Sequence, residues 1–142
     1  MRLEPACFRC GLVEGTFLHS TWECSKLQGF WRTVCDIISQ IHGIDFPMDP
    51  EICLLGNFTN SNLRHSYSIK LTEILLTIAK KCIAIKWKSD LPVPVGMWLS
   101  EVRSCIPMEK ITYSIRNKTD CFSRIWQPFI SYMENLPPHM TG

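Results

Sequence analysis

The sequence predicts an all-α protein in which a small amino-terminal zinc knuckle precedes a compact bundle of about four helices. Apolar residues recur with the 3.6-residue period of an amphipathic helix in four long segments, and no useful stretch alternates as a β-strand would. Three of the eight cysteines and one histidine fall within the first 24 residues. The 142 residues suit a single domain, which we divide into a knuckle at 1–24, a helical domain at 25–136 and a disordered tail at 137–142.

The first helix is predicted over residues 25–42. Ser25 is its expected N-cap and Gly43 the residue that ends it. The connection over 43–65 is broken by Pro47, Pro50 and Gly56, and a short apolar stretch at 52–55 is expected to tuck under the helices. The apolar face of this first helix comprises Leu27, Phe30, Trp31, Val34, Ile37, Ile38 and Ile41.

The strongest helical pattern covers residues 66–88, with Ser66 as the expected N-cap. It carries two apolar stripes, which is typical of a helix packed between neighbours. We interpret the second stripe as intramolecular core, the alternative being a seam for a partner protein; it comprises Ile69, Leu76, Ile83 and Trp87. A third side is expected to face water and carries Lys70, Lys81 and Lys88.

Two further helices complete the predicted bundle. One begins near Val95 and reaches about Arg116, with Pro107 either ending or kinking it. The last begins at Asp120 as a cap and contains Pro128, which should bend it. No run of 18 apolar residues or secretory signal is recognised, so we expect no membrane partner.

The specific chemical pattern is Cys7-x2-Cys10-x8-His19-x4-Cys24. Three thiolates and an imidazole suit tetrahedral Zn²⁺, and four protein ligands leave no open position, so the predicted site is structural. By analogy with finger peptides, zinc would contribute on the order of 10 kcal/mol to organising this segment. The alternative is four unrelated buried or reduced side chains. Cys35, like Cys82 and Cys105, is expected to be a small buried hydrophobe.

The remaining residues offer no recognisable catalytic motif. Walker, Rossmann, nucleophile-elbow and H-E-x-x-H patterns do not occur, so we expect neither an enzyme nor a small-molecule substrate. His42 is expected to act as a cation at a helix end. The aromatic residues of the knuckle either pack beneath it, which we favour, or stack on a nucleobase; they are Phe8, Phe17 and Trp22.

Charge is distributed unevenly along the chain. Residues 1–62 carry 4 basic and 7 acidic side chains, whereas residues 63–142 carry 11 basic and 6 acidic ones. Either this is chance surface charge, or the second half faces a polyanion. If it faces RNA, we expect binding to involve the lysine side named above, Lys70, Lys81 and Lys88, and to weaken with salt.

Two groups of segments in the sequence follow a familiar pattern. The first group surrounds the knuckle and comprises Cys7-Phe8-Arg9-Cys10-Gly11, Glu14-Gly15-Thr16-Phe17-Leu18-His19, Trp22-Glu23-Cys24-Ser25-Lys26-Leu27 and Phe30-Trp31. The second group lies in the helical remainder and comprises Leu54-Leu55-Gly56, Ile85-Lys86-Trp87-Lys88, Trp98-Leu99, Met108-Glu109-Lys110-Ile111 and Trp126-Gln127-Pro128-Phe129. Together they resemble the C-terminal region of LINE-type non-LTR retrotransposon polyproteins; the knuckle is the specific part of the resemblance, and the helical remainder is similar in character and order.

The resemblance implies a metal site and an RNA partner. It supports Cys7, Cys10, His19 and Cys24 as zinc ligands, and RNA or another single-stranded nucleic acid as the partner, in the nucleus or cytoplasm. No polymerase or endonuclease signature is present, so the resemblance carries over no enzyme activity. The competing hypotheses are a helical module that docks on the polymerase or on another copy, a redox or metal-buffering protein, and a retrotransposon remnant without function.

Overall fold

The described part of the computed structural model, residues 18–89 and 91–136, is helical and contains no strand. The predicted all-α class is therefore confirmed, and the four long predicted helices are present together with two shorter elements. In chain order the elements are a π-helical turn His19–Glu23, α1 Ser25–His42, α2 Pro50–Leu55, α3 Ser66–Ile85, α4 Val95–Ile115 and α5 Thr119–Glu134. The predicted tail at 137–142 lies outside the described residues.

Helix α1 begins and ends almost where the sequence predicts. Gly43 follows its last residue with a φ of 65°, the left-handed conformation that glycine adopts at little cost, and Ile44 N–H donates to the Ser39 carbonyl at 3.2 Å. The expected cap is shifted by one residue. Cys24 is the N-cap and Ser25 the first helical residue, because the Cys24 carbonyl already accepts from Leu27 N–H.

Helix α2 is a short helix within the predicted connection. The Asp49 carboxylate accepts from Glu51 N–H at 2.8 Å, Pro50 occupies the first turn, and Gly56 ends the helix with a φ of 74°. Ile52 and Cys53 are buried, so the expectation of an apolar anchor holds for these two residues.

Helix α3 is the central element and contacts the π-helical turn and all four other helices. Leu76 and Ile83 of the second stripe are buried, which confirms the core interpretation for the middle of that stripe. The predicted extension to residue 88 is wrong, because α3 ends at Ile85. Most helical stability comes from packing of an apolar face, and every residue from Ala84 to Lys88 is exposed.

Helices α4 and α5 complete the bundle, and a buried indole ring joins α4 to α3. Trp98 is fully buried, and its Nε1–H donates to the Leu75 carbonyl at 2.9 Å, which fixes α4 on α3. Pro107 and Pro128 both lie inside helices, so Pro107 does not end α4. Within the described residues, no helix combines the length and the apolar character needed to span a membrane.

Candidate metal centre and nucleic-acid interface

The π-helical turn joins the third and fourth predicted zinc ligands. Cys24 N–H donates to the His19 carbonyl at 2.9 Å, the i→i+5 bond that defines a π-helix. One such bond joins residues that are five positions apart, which is the separation between His19 and Cys24. The two ligand-bearing backbones are held at opposite ends of a single turn, directly before α1.

Three contacts to α1 hold this turn in place. The Trp31 indole N–H donates to the Thr21 carbonyl at 2.7 Å, and the Gln28 side-chain amide donates to the Trp22 carbonyl. The rings of Trp22 and Trp31 pack at 5.0 Å between centroids with a 41° tilt. Trp22 is buried, so the prediction that its ring packs is confirmed for its contact with α1, whereas Phe8 and Phe17 lie outside the described residues.

Cys24 lies where a thiolate ligand would be protected and stabilised. Cys24 is fully buried at the amino terminus of the 18-residue helix α1. The positive end of a helix dipole favours an anion at that point. The donor types and the backbone constraint therefore fit Zn²⁺ at the two predicted ligands that can be described, His19 and Cys24.

The other two predicted ligands, Cys7 and Cys10, lie outside the described residues. Within 18–89 and 91–136, no three His, Cys, Asp or Glu side chains form a group that could hold a metal. A complete site would therefore need Cys7 and Cys10 to join His19 and Cys24.

The three predicted nucleic-acid lysines occupy different settings. All three are exposed. Lys70 lies in the first turns of α3, about 16 Å along the axis from Lys81. The Lys81 ammonium is 3.0 Å from the Glu101 carboxylate, and that hydrogen bond raises the pKa of Lys81. Lys88 lies beyond the end of α3, so the expected alignment of three lysines on one helix is wrong.

The turn after α3 combines an aromatic ring with two cations, a feature that the sequence interpretation assigned to the helix. Trp87 is 50% exposed and lies between exposed Lys86 and Lys88. The Lys88 Nζ is 4.8 Å from the centroid of the Trp87 ring. The Lys-Trp-Lys triplet in the sequence is the signal that could have located this feature.

Three further side chains that could carry chemistry make contacts between helices: Cys35 with Cys53, and His42 with Thr72. The thiols of Cys35 and Cys53 are buried at 3.7 Å, and their hydrogen bond together with burial raises the pKa of Cys35 well above its usual range. His42 lies within 2.9 Å of the Thr72 hydroxyl, and burial lowers its pKa. The predicted position of His42 at a helix end is confirmed, because it is the last residue of α1, and its cationic role stays a prediction that desolvation opposes.

Comparison with protein-family models adds no assignment, because no family model matches the chain.

Proposed function

We propose that this chain is a zinc-organised module that binds RNA, as the C-terminal region of a LINE-type retrotransposon polyprotein would. The observation that carries the proposal is the π-helical turn, which joins His19 to Cys24 by one 2.9 Å backbone bond and is anchored on α1. It supports reading these two residues as half of a four-ligand site rather than as incidental side chains.

The metal would have a structural task. Cys7, Cys10, His19 and Cys24 would hold it, and zinc would supply a cross-link between the amino-terminal loop and the start of α1. A closed set of four ligands leaves no position for substrate, so we propose no enzymatic step.

The nucleic-acid surface would centre on the turn after α3. Trp87 presents an aromatic ring for base stacking, and Lys86 and Lys88 present charge for phosphates. Lys70 and Lys81 would contribute longer-range attraction; Lys81 contributes less because Glu101 offsets its charge.

Fluorescence anisotropy with a single-stranded RNA tests this surface. The Lys86→Glu/Lys88→Glu variant should lose most of its affinity, and the slope of log affinity against log salt should become shallower by about 0.7 for each lost phosphate contact. Lys110→Glu/Lys118→Glu makes the same change in net charge at exposed positions outside this turn and serves as the control. Equal losses in both variants would reduce the proposal to nonspecific attraction.

A second candidate function is docking on a protein partner. The alternative of a partner-binding seam along the second apolar stripe of α3 does not hold for Leu76 and Ile83, because both residues are buried. The C-terminal half of α4 instead exposes 66% of Met108, 52% of Ile111 and 80% of Ile115, at one-face helical spacing. Light scattering after size exclusion tests self-association: Ile115→Asp should convert a dimer into a monomer, and a wild-type monomer excludes pairing of two copies.

A further inference from the structure

Two cysteine thiols outside the predicted zinc ligand set meet where α2 packs on α1. The Cys35 and Cys53 sulfurs are 3.7 Å apart, and both residues are buried free thiols. A disulfide bond is about 2.05 Å long, so the two sulfurs need to approach by only about 1.7 Å to form one. The reduced chain therefore holds two thiols of different helices in direct contact.

The two thiols differ in acidity because one donates a hydrogen bond to the other. This bond lowers the pKa of Cys53, against the opposing effect of burial, and it raises the pKa of Cys35. The Lys80 ammonium donates to the carbonyl of the adjacent Leu54 at 3.1 Å, and its charge also lowers the pKa of Cys53. Because the thiolate is the nucleophile in disulfide exchange, Cys53 is the better nucleophile of the pair.

Access to Cys53 depends on the short helix that carries it. Helix α2 has six residues, too few to be stable without tertiary contacts. Glu51, Leu55 and Gly56 are exposed, so only part of this segment contributes to the core. Local opening of such a segment costs less free energy than global unfolding. Opening of α2 would expose Cys53 to a small reagent, and closing would return it to Cys35.

We propose that Cys35 and Cys53, exposed by local opening of α2, exchange with a low-molecular-weight disulfide to form an intramolecular disulfide that cross-links α1 to α2. The linkage involves neither metal nor RNA, so it goes beyond the proposed function.

The exchange proceeds in two steps. The Cys53 thiolate attacks one sulfur of the small disulfide, whose S–S bond breaks, so that a mixed disulfide forms on Cys53 and one small thiolate leaves. Cys35 then gives its proton to water, and its sulfur attacks the Cys53 sulfur; the mixed disulfide bond breaks and the second small thiolate leaves. Two protein thiols are thereby oxidised to one disulfide, and the small disulfide is reduced to two thiols.

Peptide mapping after treatment of the folded full chain with oxidised glutathione tests the linkage. Trypsin cleaves after Arg32 and Arg64, and the peptide 33–64 contains Cys35 and Cys53 but no other cysteine and no predicted zinc ligand. Wild-type protein should yield this peptide without alkylatable thiols and lighter by two hydrogen atoms. Further cleavage after Glu51 should leave the two halves joined until a reductant is added. A peptide that keeps both thiols, or that carries glutathione without the internal linkage, would overturn the proposal.

Single substitutions distinguish this pair from another buried thiol. Cys82 is fully buried on α3 and forms no hydrogen bond to a second thiol of the described residues, so Cys82→Ala should form the linkage as fast as wild type. Cys35→Ser keeps a hydrogen-bond donor beside Cys53, so its reaction should stop with one glutathione on Cys53. Cys53→Ser should take up glutathione on Cys35 about tenfold more slowly, because Cys35 is the weaker acid. Equal uptake in the two serine variants would contradict the proposed order of attack.

A third comparison separates local opening of α2 from global unfolding. Asp49→Ala removes the α2 cap, and Gly43→Ala disturbs the end of α1 at a similar expected cost in stability. The linkage should form about fivefold faster in Asp49→Ala, the ratio that loss of one cap corresponds to, and at the wild-type rate in Gly43→Ala. Equal rates in these two variants would overturn the proposed route through α2.

Discussion

Replacement of Trp31 by phenylalanine tests how firmly the π-helical turn is attached to the bundle. Trp31 is fully buried, and its indole N–H donates to the Thr21 carbonyl at 2.7 Å. Trp126 offers a matched control because it is equally buried, yet its Nε1 has no hydrogen-bond partner among the described residues. Trp→Phe removes the same atoms at both positions, so the cavity costs are similar.

The difference between the two variants measures the anchoring bond. Loss of the Trp31 bond costs about 1–2 kcal/mol, whereas removal of the unsatisfied Trp126 N–H relieves a desolvation penalty of about 1–2 kcal/mol. Trp31→Phe should therefore lower the free energy of unfolding by about 2–4 kcal/mol more than Trp126→Phe. Urea titration monitored by far-UV circular dichroism provides the measurement. An equal loss, or a larger loss in Trp126→Phe, would show that the Trp31 hydrogen bond does not stabilise the fold.

Three other changes have expected outcomes. Gly43→Ala and Gly56→Ala should each lower the free energy of unfolding by about 1 kcal/mol, because both glycines have positive φ. Gly29 lies in open space on α1, so Gly29→Ala should raise the free energy of unfolding by about 0.5–1 kcal/mol. Urea midpoints that rank these variants in another order would contradict this expectation. Burial lowers the pKa of His42 in the folded state, so below about pH 6.5 the unfolded chain binds more protons than the folded chain. The free energy of unfolding should therefore decline as pH falls below that value. His42→Gln should make this decline smaller when melting temperatures are measured over a series of pH values. Asp49→Ala should cost about 1 kcal/mol through loss of the α2 cap, which a titration against Asp45→Ala can verify.

Local periodicity was sufficient to predict most of the helical framework. The bounds of α1 and its termination at Gly43 follow from apolar spacing and one glycine, because both signals lie within the segment itself. Helix α2 was missed because six residues are too few to show a period, although Asp49 and Pro50 carried the capping signal. Trp87 continued the helical pattern in sequence, but α3 ends at Ile85, and every residue from Ala84 to Lys88 is exposed.

The environments of the candidate site residues depend more on contacts with residues that are far away in the sequence. The sequence correctly predicted that Lys81 is exposed, but local patterns could not pair it with Glu101, which is twenty positions away on another helix. The lowered pKa of His42 likewise follows from its burial beside α3, where the Thr72 hydroxyl lies 2.9 Å away. In contrast, the His19-x4-Cys24 spacing was visible in the sequence, and the structure adds that one π-turn accounts for it.

Native mass spectrometry of the purified chain tests the metal claim most directly. We expect one zinc ion per wild-type chain, retained in His65→Ala, which alters an exposed histidine, and lost in His19→Ala. Metal-free wild-type protein under zinc-replete conditions, or a His19→Ala variant that keeps its zinc, would contradict it.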